Sequence, residues 1–283
     1  MRTVASRIIR ELFCIAAVGA VAGCAAPRVP PEVPSSYDPI LGILYYPFAS
    51  VDSPTVARPQ PDRAGWSRGS MDMDLRRMGK AKIDVVFVVL DAAAVAPYEV
   101  ARVEDFVRLA AQLEEDVPRV AVWLRAGDAS TPSGVRGLIS TLVQSGAPNS
   151  PAWFRMDGRP LLVLEGGGGS MTRHPAFSFR RAGPEATTWA APGGPQRSAL
   201  FGANGRQALV SAGCWNGETR EWSVERNSGL TFREQLWQAV TEQPEIIVLS
   251  SWNAFHRGDF LVPNTLDGEK PYQHLIREGQ WLK

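Results

Sequence analysis

The sequence predicts a single-domain α/β protein, a (β/α)8 barrel of the TIM type. Three observations carry this reading. Apolar runs alternate with helix-periodic stretches from Ile40 onward. The runs are apolar on consecutive residues, as in strands buried on both faces, rather than alternately polar. The alternation also lasts roughly 240 residues, the usual length of eight strand–helix units. A doubly wound open sheet is the competing architecture, but YYPFASVDS stands at the end of the first strand where a Gly-rich phosphate loop would be needed. The run GGGG at 166–169 is not GxGxxG and lacks the Lys-Ser/Thr of a P-loop, so it reads as a flexible loop.

Taken in order, ILGILYYPF (Ile40 to Phe48) is the first strand and MDMDLRRMGKA (Met71 to Ala81) a short helix. IDVVFVVLD (Ile83 to Asp91) is the second strand, and Val103, Phe106, Val107, Ala110 and Leu113 then recur at helical spacing. RVAVWLRA (Arg119 to Ala126) is a strand, GVRGLISTLVQS a helix, and RPLLVLEG (Arg159 to Gly166) a strand. Residues 167–206 are rich in Gly and Pro, with AFSFRRAG and ATTWAAP as short strands. QALVSAGCW then reads as a strand, LTFREQLWQAVTEQ as a helix, PEIIVLSSW as the last strand and YQHLIREG as a closing helix. With no long linker, heptad pattern or internal repeat, residues 40–283 form one domain.

The residues ahead of it have a different character. Arg2, Arg7 and Arg10 precede FCIAAVGAVAG, the charged flank and short apolar core of a signal peptide over residues 1–23. That core is too short to span a bilayer. It ends in VAGC, which resembles the bacterial lipobox, and the resemblance implies acylation of Cys24. Ala25 in the next position implies sorting to the outer membrane, facing the periplasm. Residues 24–39 carry five prolines and read as an extended tether. Cys14 leaves with the signal and Cys24 is modified, so Cys214 is expected as a small buried thiol without a disulfide partner. The removed segment holds three arginines and one glutamate, which leaves the rest of the chain near −1. No basic stripe remains to recruit nucleic acid; the expected partners are a membrane, through the lipid, and a saccharide.

In a barrel, functional groups sit at the C-terminal ends of the strands. That rule selects Tyr45 and Tyr46, Asp91, Arg125 and Asp128, Glu165, then Trp215, Asn216 and Glu218, and finally Trp252, Asn253, His256, Arg257 and Asp259. Aromatic rings pack on the apolar faces of pyranoses, while carboxylates and amides bind their hydroxyls, so this set suits a sugar site. Most of the nine tryptophans are expected in the core. His174, His256 and His274 lack metal-ligand spacing, and no G-x-S-x-G or cofactor motif occurs; neither metal nor cofactor is expected.

GILYYPFAS, M-x-K-A-x-I-D-V-V-F-V, FRMDGRPLLVLE and EIIVLSSWNAFHRGDFLVPNTLDG occur in that order and together resemble glycoside hydrolase family 99. The last phrase is the specific one. The resemblance implies a (β/α)8 barrel and cleavage of internal α-mannosidic bonds with retention, by two glutamates three residues apart in a loop of the type S-W-N-E-W-H-E-G. Trp252, Asn253, His256 and Gly258 match that loop, but the two glutamates fall on Ala254 and Arg257, and a third acid before the proline falls on Val262. The family's chemistry is therefore expected to be lost. Three readings follow. The barrel binds a polysaccharide at the envelope, where Arg257 suits an acidic sugar or phosphate unless it pairs with Asp259. Alternatively, Asp91 and Glu165, with Asp128, Glu218 and Asp259 in reserve, supply a replacement pair of carboxylates. In a third reading the barrel is an envelope scaffold.

Overall fold

The first strand lies between the second strand and the last long strand of the chain, and this adjacency identifies the architecture. The computed structural model describes residues 29–46, 57, 67–91, 97–113, 116–126, 132–166, 175–182, 187–189, 196–198, 207–216, 220–255 and 258–283. In chain order the strands are β1 (Ile40–Tyr45), β2 (Val85–Asp91), β3 (Arg119–Ala126), β4 (Arg155–Met156), β5 (Arg159–Gly166), β6 (Ser178–Ala182), β7 (Thr187–Trp189) and β8 (Gln196–Ser198). They continue with β9 (Gln207–Ser211), β10 (Cys214–Asn216), β11 (Glu221–Val224), β12 (Ile246–Ser250), β13 (Asn253–Ala254) and β14 (Asp259–Phe260). Helices α1 (Arg68–Lys80), α2 (Pro97–Gln112) and α3 (Pro132–Ser145) follow β1, β2 and β3; α4 (Leu230–Val240) precedes β12, and α5 (Lys270–Leu282) closes the chain.

The parallel strands are ordered β6-β5-β3-β2-β1-β12-β9. A doubly wound sheet ascends in number on both sides of β1. Here the numbers ascend on one side and descend on the other, the order of a barrel whose last strand returns to its first. Beyond β9 the ladder continues into antiparallel β8 and β7. That hairpin stands where a further parallel strand of an eightfold repeat would be, and among the described residues no ladder joins it to β6.

Period-two alternation divides the strands between two cores. Leu41, Ile43 and Tyr45 of β1, with Val86, Val88 and Leu90 of β2, pack against the helices. Leu44, Val85, Phe87, Val89, Trp123 and Val163 pack inside the sheet, where the Phe87 and Trp123 rings meet edge to face at 5.5 Å. The interior is tight: a Cβ on Gly42 would lie 2.5 Å from the Phe87 ring.

Local chemistry accounts for the differences from the sequence reading. Helix α1 starts at Arg68, ahead of Met71, because Ser67 and Ser70 form a reciprocal capping box. Asp157 and Gly158, both at positive φ, make the tight turn between β4 and β5. QALVSAGCW is not one strand: β9 stops at Ser211 and Cys214 opens the β10–β11 hairpin. Cys214 is disulfide-bonded, which corrects its reading as an unpartnered thiol; its partner lies outside the described residues. The end of the Pro-rich tether is not free. Val33 and Tyr37 pack on the helix-side core, and the Tyr37 hydroxyl donates to the Pro244 carbonyl at 2.8 Å.

Candidate functional site

Parallel register sets three polar residues in one row at the C-terminal rim. Asp91 pairs with Arg125, and Arg125 with Glu165. Arg125 and Glu165 continue the interior-facing alternation of Ala121 and Trp123 on β3 and of Leu161 and Val163 on β5. One carboxylate oxygen of Glu165, Oε2, accepts from Trp123 Nε1 at 2.6 Å and from Arg125 Nε at 3.2 Å. Their side chains remain partly accessible, 26% for Glu165 and 36% for Arg125. The Arg125 guanidinium also sits 5.9 Å from the centre of the Tyr46 ring, a cation–π approach that links β3 to the end of β1.

Asn253 fixes the same corner from the other side. Its Oδ1 accepts from the Tyr46 backbone N–H at 2.8 Å, and its Nδ2 donates to the Tyr46 carbonyl at 2.9 Å. The amide thus serves as a substitute strand for Tyr46, whose own strand has ended. Tyr46, Asn253, Arg125 and Glu165 are therefore brought together as the strand-end rule predicts, with the Asp91 backbone in their row. Trp123 joins them, although the sequence reading missed it. Its position two residues before Arg125 on a strand was the available signal.

Three predicted binding residues lie elsewhere, and the structure corrects their placement. Tyr45, 2% exposed, points to the helix side, where its ring stacks on Phe106 and its hydroxyl donates to Asp74. Trp252 is fully buried, with its ring edge-on to Tyr272 at 5.9 Å and its indole N–H without a partner. Asp259, 3% exposed, accepts from the Ser250 hydroxyl, from the Ala212 N–H at 3.1 Å and from the Ser211 hydroxyl at 3.4 Å. It ties the ends of β9 and β12 together. For Tyr45 the physical reason is the alternation of β1, which sends Leu41, Ile43 and Tyr45 to the helix side; for Trp252 and Asp259 it is that the segment after β12 turns back as the β13–β14 hairpin.

Arg226, another residue the sequence reading missed, fastens that segment. It is buried against Asp267 at 2.7 Å, donates to the carbonyls of Gly258 at 2.9 Å and Phe260 at 2.7 Å, and lies 3.8 Å over the Phe260 ring. Burial lowers its pKa, opposed by the bond to Asp267 and by the charges of Asp267 and Asp259. Gly258, at φ 65°, lies close against the β10–β11 hairpin. A Cβ there would come within 2.7 Å of both Trp215 and Trp222. Half-buried Trp215 therefore packs on this loop.

Two of the positions that match the family's acids, Ala254 and Val262, are buried apolar residues. Cys24, Asp128, His174, Glu218, His256 and Arg257 lie outside the described residues, as do the side chains of Asp91 and Asn216. Among the described residues no cluster of His, Cys, Asp and Glu could hold a metal.

No family model and no curated protein matches the chain. Among solved structures, it is similar to the GH99 endo-alpha-mannosidase from Bacteroides thetaiotaomicron, in complex with bis-tris-propane (TM-score 0.63) and in a second structure (TM-score 0.60). Identity is 17% in both, over 86% of this chain and 95% and 96% of theirs. A glycoside hydrolase-like protein is similar with TM-score 0.54 and 10% identity, over 90% of this chain and 97% of its own. At such identities the likeness is one of fold, and it agrees with the α/β barrel expected from the sequence.

Proposed function

We propose that the barrel mouth of this chain binds a polysaccharide without the carboxylate pair of family 99. One observation carries the choice of binding over hydrolysis. The described carboxylate at the rim, Glu165, is engaged as an acceptor by Trp123 and Arg125, while Ala254 and Val262 occupy positions that match the family's acids. Tyr46 supplies a ring, and Arg125, Glu165 and Asn253 supply polar atoms beside it, which suits recognition of a sugar face and its hydroxyls. The fold shared with an endo-mannosidase supports a saccharide as the ligand class.

Titration of the purified chain with envelope and secreted polysaccharides tests this. Saturable binding without release of reducing ends is expected, with Tyr46→Ala and Arg125→Ala each weakening it about tenfold, or ~1.4 kcal/mol. Absence of binding to every glycan tried sinks the proposal. The partly open position of Glu165, in register with Arg125 and so two strands from Asp91 with β3 between, favours a second reading as a hydrolase. That reading expects reducing-end release that Glu165→Gln abolishes.

The lipobox resemblance and the disulfide at Cys214 make opposite predictions for the intact mass. The chain has three cysteines. Acylation of Cys24 and removal of the residues before it would leave Cys214 as the only thiol, so a mass that shows lipid on Cys24 excludes the disulfide, and a chain that keeps the disulfide is not processed in that way.

A further inference from the structure

We propose that Glu165 is the specificity-determining residue of the mouth: its oxygen Oε1 accepts a hydroxyl of the bound sugar, which selects neutral polysaccharides over those carrying carboxylates. This rests on the polysaccharide binding proposed above and adds the chemical class that the mouth takes.

The two oxygens of this carboxylate are not equivalent. Both donors, Trp123 Nε1 at 2.6 Å and Arg125 Nε at 3.2 Å, converge on Oε2. Among the described residues Oε1 accepts no hydrogen bond, and it is not buried. Trp123 pairs in register with Val163, two residues before Glu165, so its N–H reaches Oε2 from the interior side. The indole is itself fixed, buried with its ring edge to face on Phe87. With Oε2 held from below, Oε1 is the oxygen left to the mouth.

A carboxylate oxygen only accepts, so a ligand group that meets Oε1 must donate. A sugar hydroxyl does so. The carboxylate of a uronate is acceptor-only as well and brings like charge. Arg125 does not offset this, because its charge is balanced by Glu165 at 3.2 Å and its guanidinium lies against the Tyr46 ring. That ring, whose backbone Asn253 pins at both the N–H and the carbonyl, serves the apolar face of the same pyranose. The mouth thus offers a ring and an oriented acceptor side by side.

The asymmetry also dictates what a substitution does. In Glu165→Gln the amide oxygen stays with Trp123 and Arg125, both of them donors. The amide nitrogen then takes the place of Oε1, and an acceptor facing the ligand becomes a donor.

The test titrates the purified full chain with mannan, galactan and glucan, each before and after its primary hydroxyls are oxidised to carboxylates. A parent polymer is expected to bind about tenfold tighter than its oxidised form or better, and Glu165→Gln to reverse that order. Glu165→Ala removes acceptor and charge together and should bring the two forms within about threefold of each other. Trp123→Phe should narrow the preference in the otherwise unchanged chain and alter nothing further in Glu165→Ala, since Trp123 acts through that carboxylate. A further change in the Glu165→Ala background overturns the positioning by Trp123. An oxidised polymer that binds as tightly as its parent, or a Glu165→Gln chain that keeps the parent's preference, overturns the assignment of Glu165 and leaves the saccharide reading standing. Failure of every polymer to bind, neutral and oxidised alike, overturns both.

Discussion

Replacing Arg226 by methionine should be among the most damaging single changes available in the chain. Methionine fills much of the volume but leaves Asp267, whose side chain is 9% exposed, without its cation. Stranding one partner of a buried ion pair costs about 3–5 kcal/mol. The carbonyls of Gly258 and Phe260 lose their donors as well, at ~1 kcal/mol each. Because the contributions overlap, a total of about 5 kcal/mol is the reasonable expectation, and for a body of this size it lowers the melting temperature by roughly 10–20 °C. The double variant Arg226→Met/Asp267→Leu no longer strands a charge, so only the orphaned carbonyls remain, about 2 kcal/mol. Asp267→Leu alone strands the guanidinium and should cost as much as Arg226→Met. Denaturant unfolding of the four proteins, with m-values unchanged, measures the cycle. A cost below about 1.5 kcal/mol for Arg226→Met, or single costs that simply add in the double variant, would refute the view that this pair fastens the segment over the mouth.

Asn253→Ala removes both hydrogen bonds to the Tyr46 backbone and should destabilise by about 2 kcal/mol. It should also weaken polysaccharide binding in the titration described above, whereas unchanged affinity would separate Tyr46 from the ligand. Gly279→Ala places a Cβ 2.0 Å from the Ala81 carbonyl oxygen, a backbone atom that cannot swing aside. A loss of about 3 kcal/mol is expected, and an unaltered melting curve would mean that α5 does not approach that turn. His274 gives a pH dependence. Burial, then Arg277 and Arg233, lower its pKa, and its Nδ1 contacts an Arg277 nitrogen at 2.7 Å, the contact a neutral ring accepts. The unfolded chain therefore takes up the proton first as pH falls. The stabilisation is complete above about 6.5 and is lost as pH drops through the lower folded value. Stability measured from pH 5 to 8 should rise toward neutrality, and His274→Gln should remove that part of the slope.

The elements that were legible are those in which one force dominates. β2, β3, β5 and β12 are consecutive apolar residues, and burial on both faces of a parallel sheet leaves few other uses for such runs. The rim row followed from the strand-end rule, because Arg125 and Glu165 each stand where an interior-facing run meets solvent, with Asp91 in register beside them. Other features depend on contacts far apart in sequence. Nothing in QALVSAGCW marks the break at Gly213 except the glycine itself, and its necessity comes from the Arg226 side chain, 2.5 Å from where a Cβ would sit. Arg226 lies in a polar stretch, EWSVERNSG, with no periodicity to single it out. Trp252 and Asp259 obeyed the strand-end rule in sequence but not in space, since the rule is silent about a loop that folds back over its own strand.

That fold-back changes where a ligand can be received. On the β9–β12 side of the rim, Ser211 and Ser250 face the buried Asp259 carboxylate, and Ala254, in the hairpin itself, and Val262 are buried. Ala254 and Val262, two of the three positions that the resemblance aligns with the family's acids, belong to this side. On the β1–β5 side, Tyr46, Arg125 and Glu165 retain partly open side chains in one connected group. Among the described residues the accessible polar groups thus stand at the ends of the first strands and not on the segment after the last strand. Substitutions on the two sides should then separate cleanly. Asp259→Asn should lower stability, because among the described residues its carboxylate receives three donors, and leave affinity unchanged in the molecules that fold. Arg125→Ala should do the reverse, since its pair with Glu165 is partly exposed and contributes little to the fold. Affinity that tracks Asp259 and ignores Arg125 would place the ligand on the covered side and undo the argument.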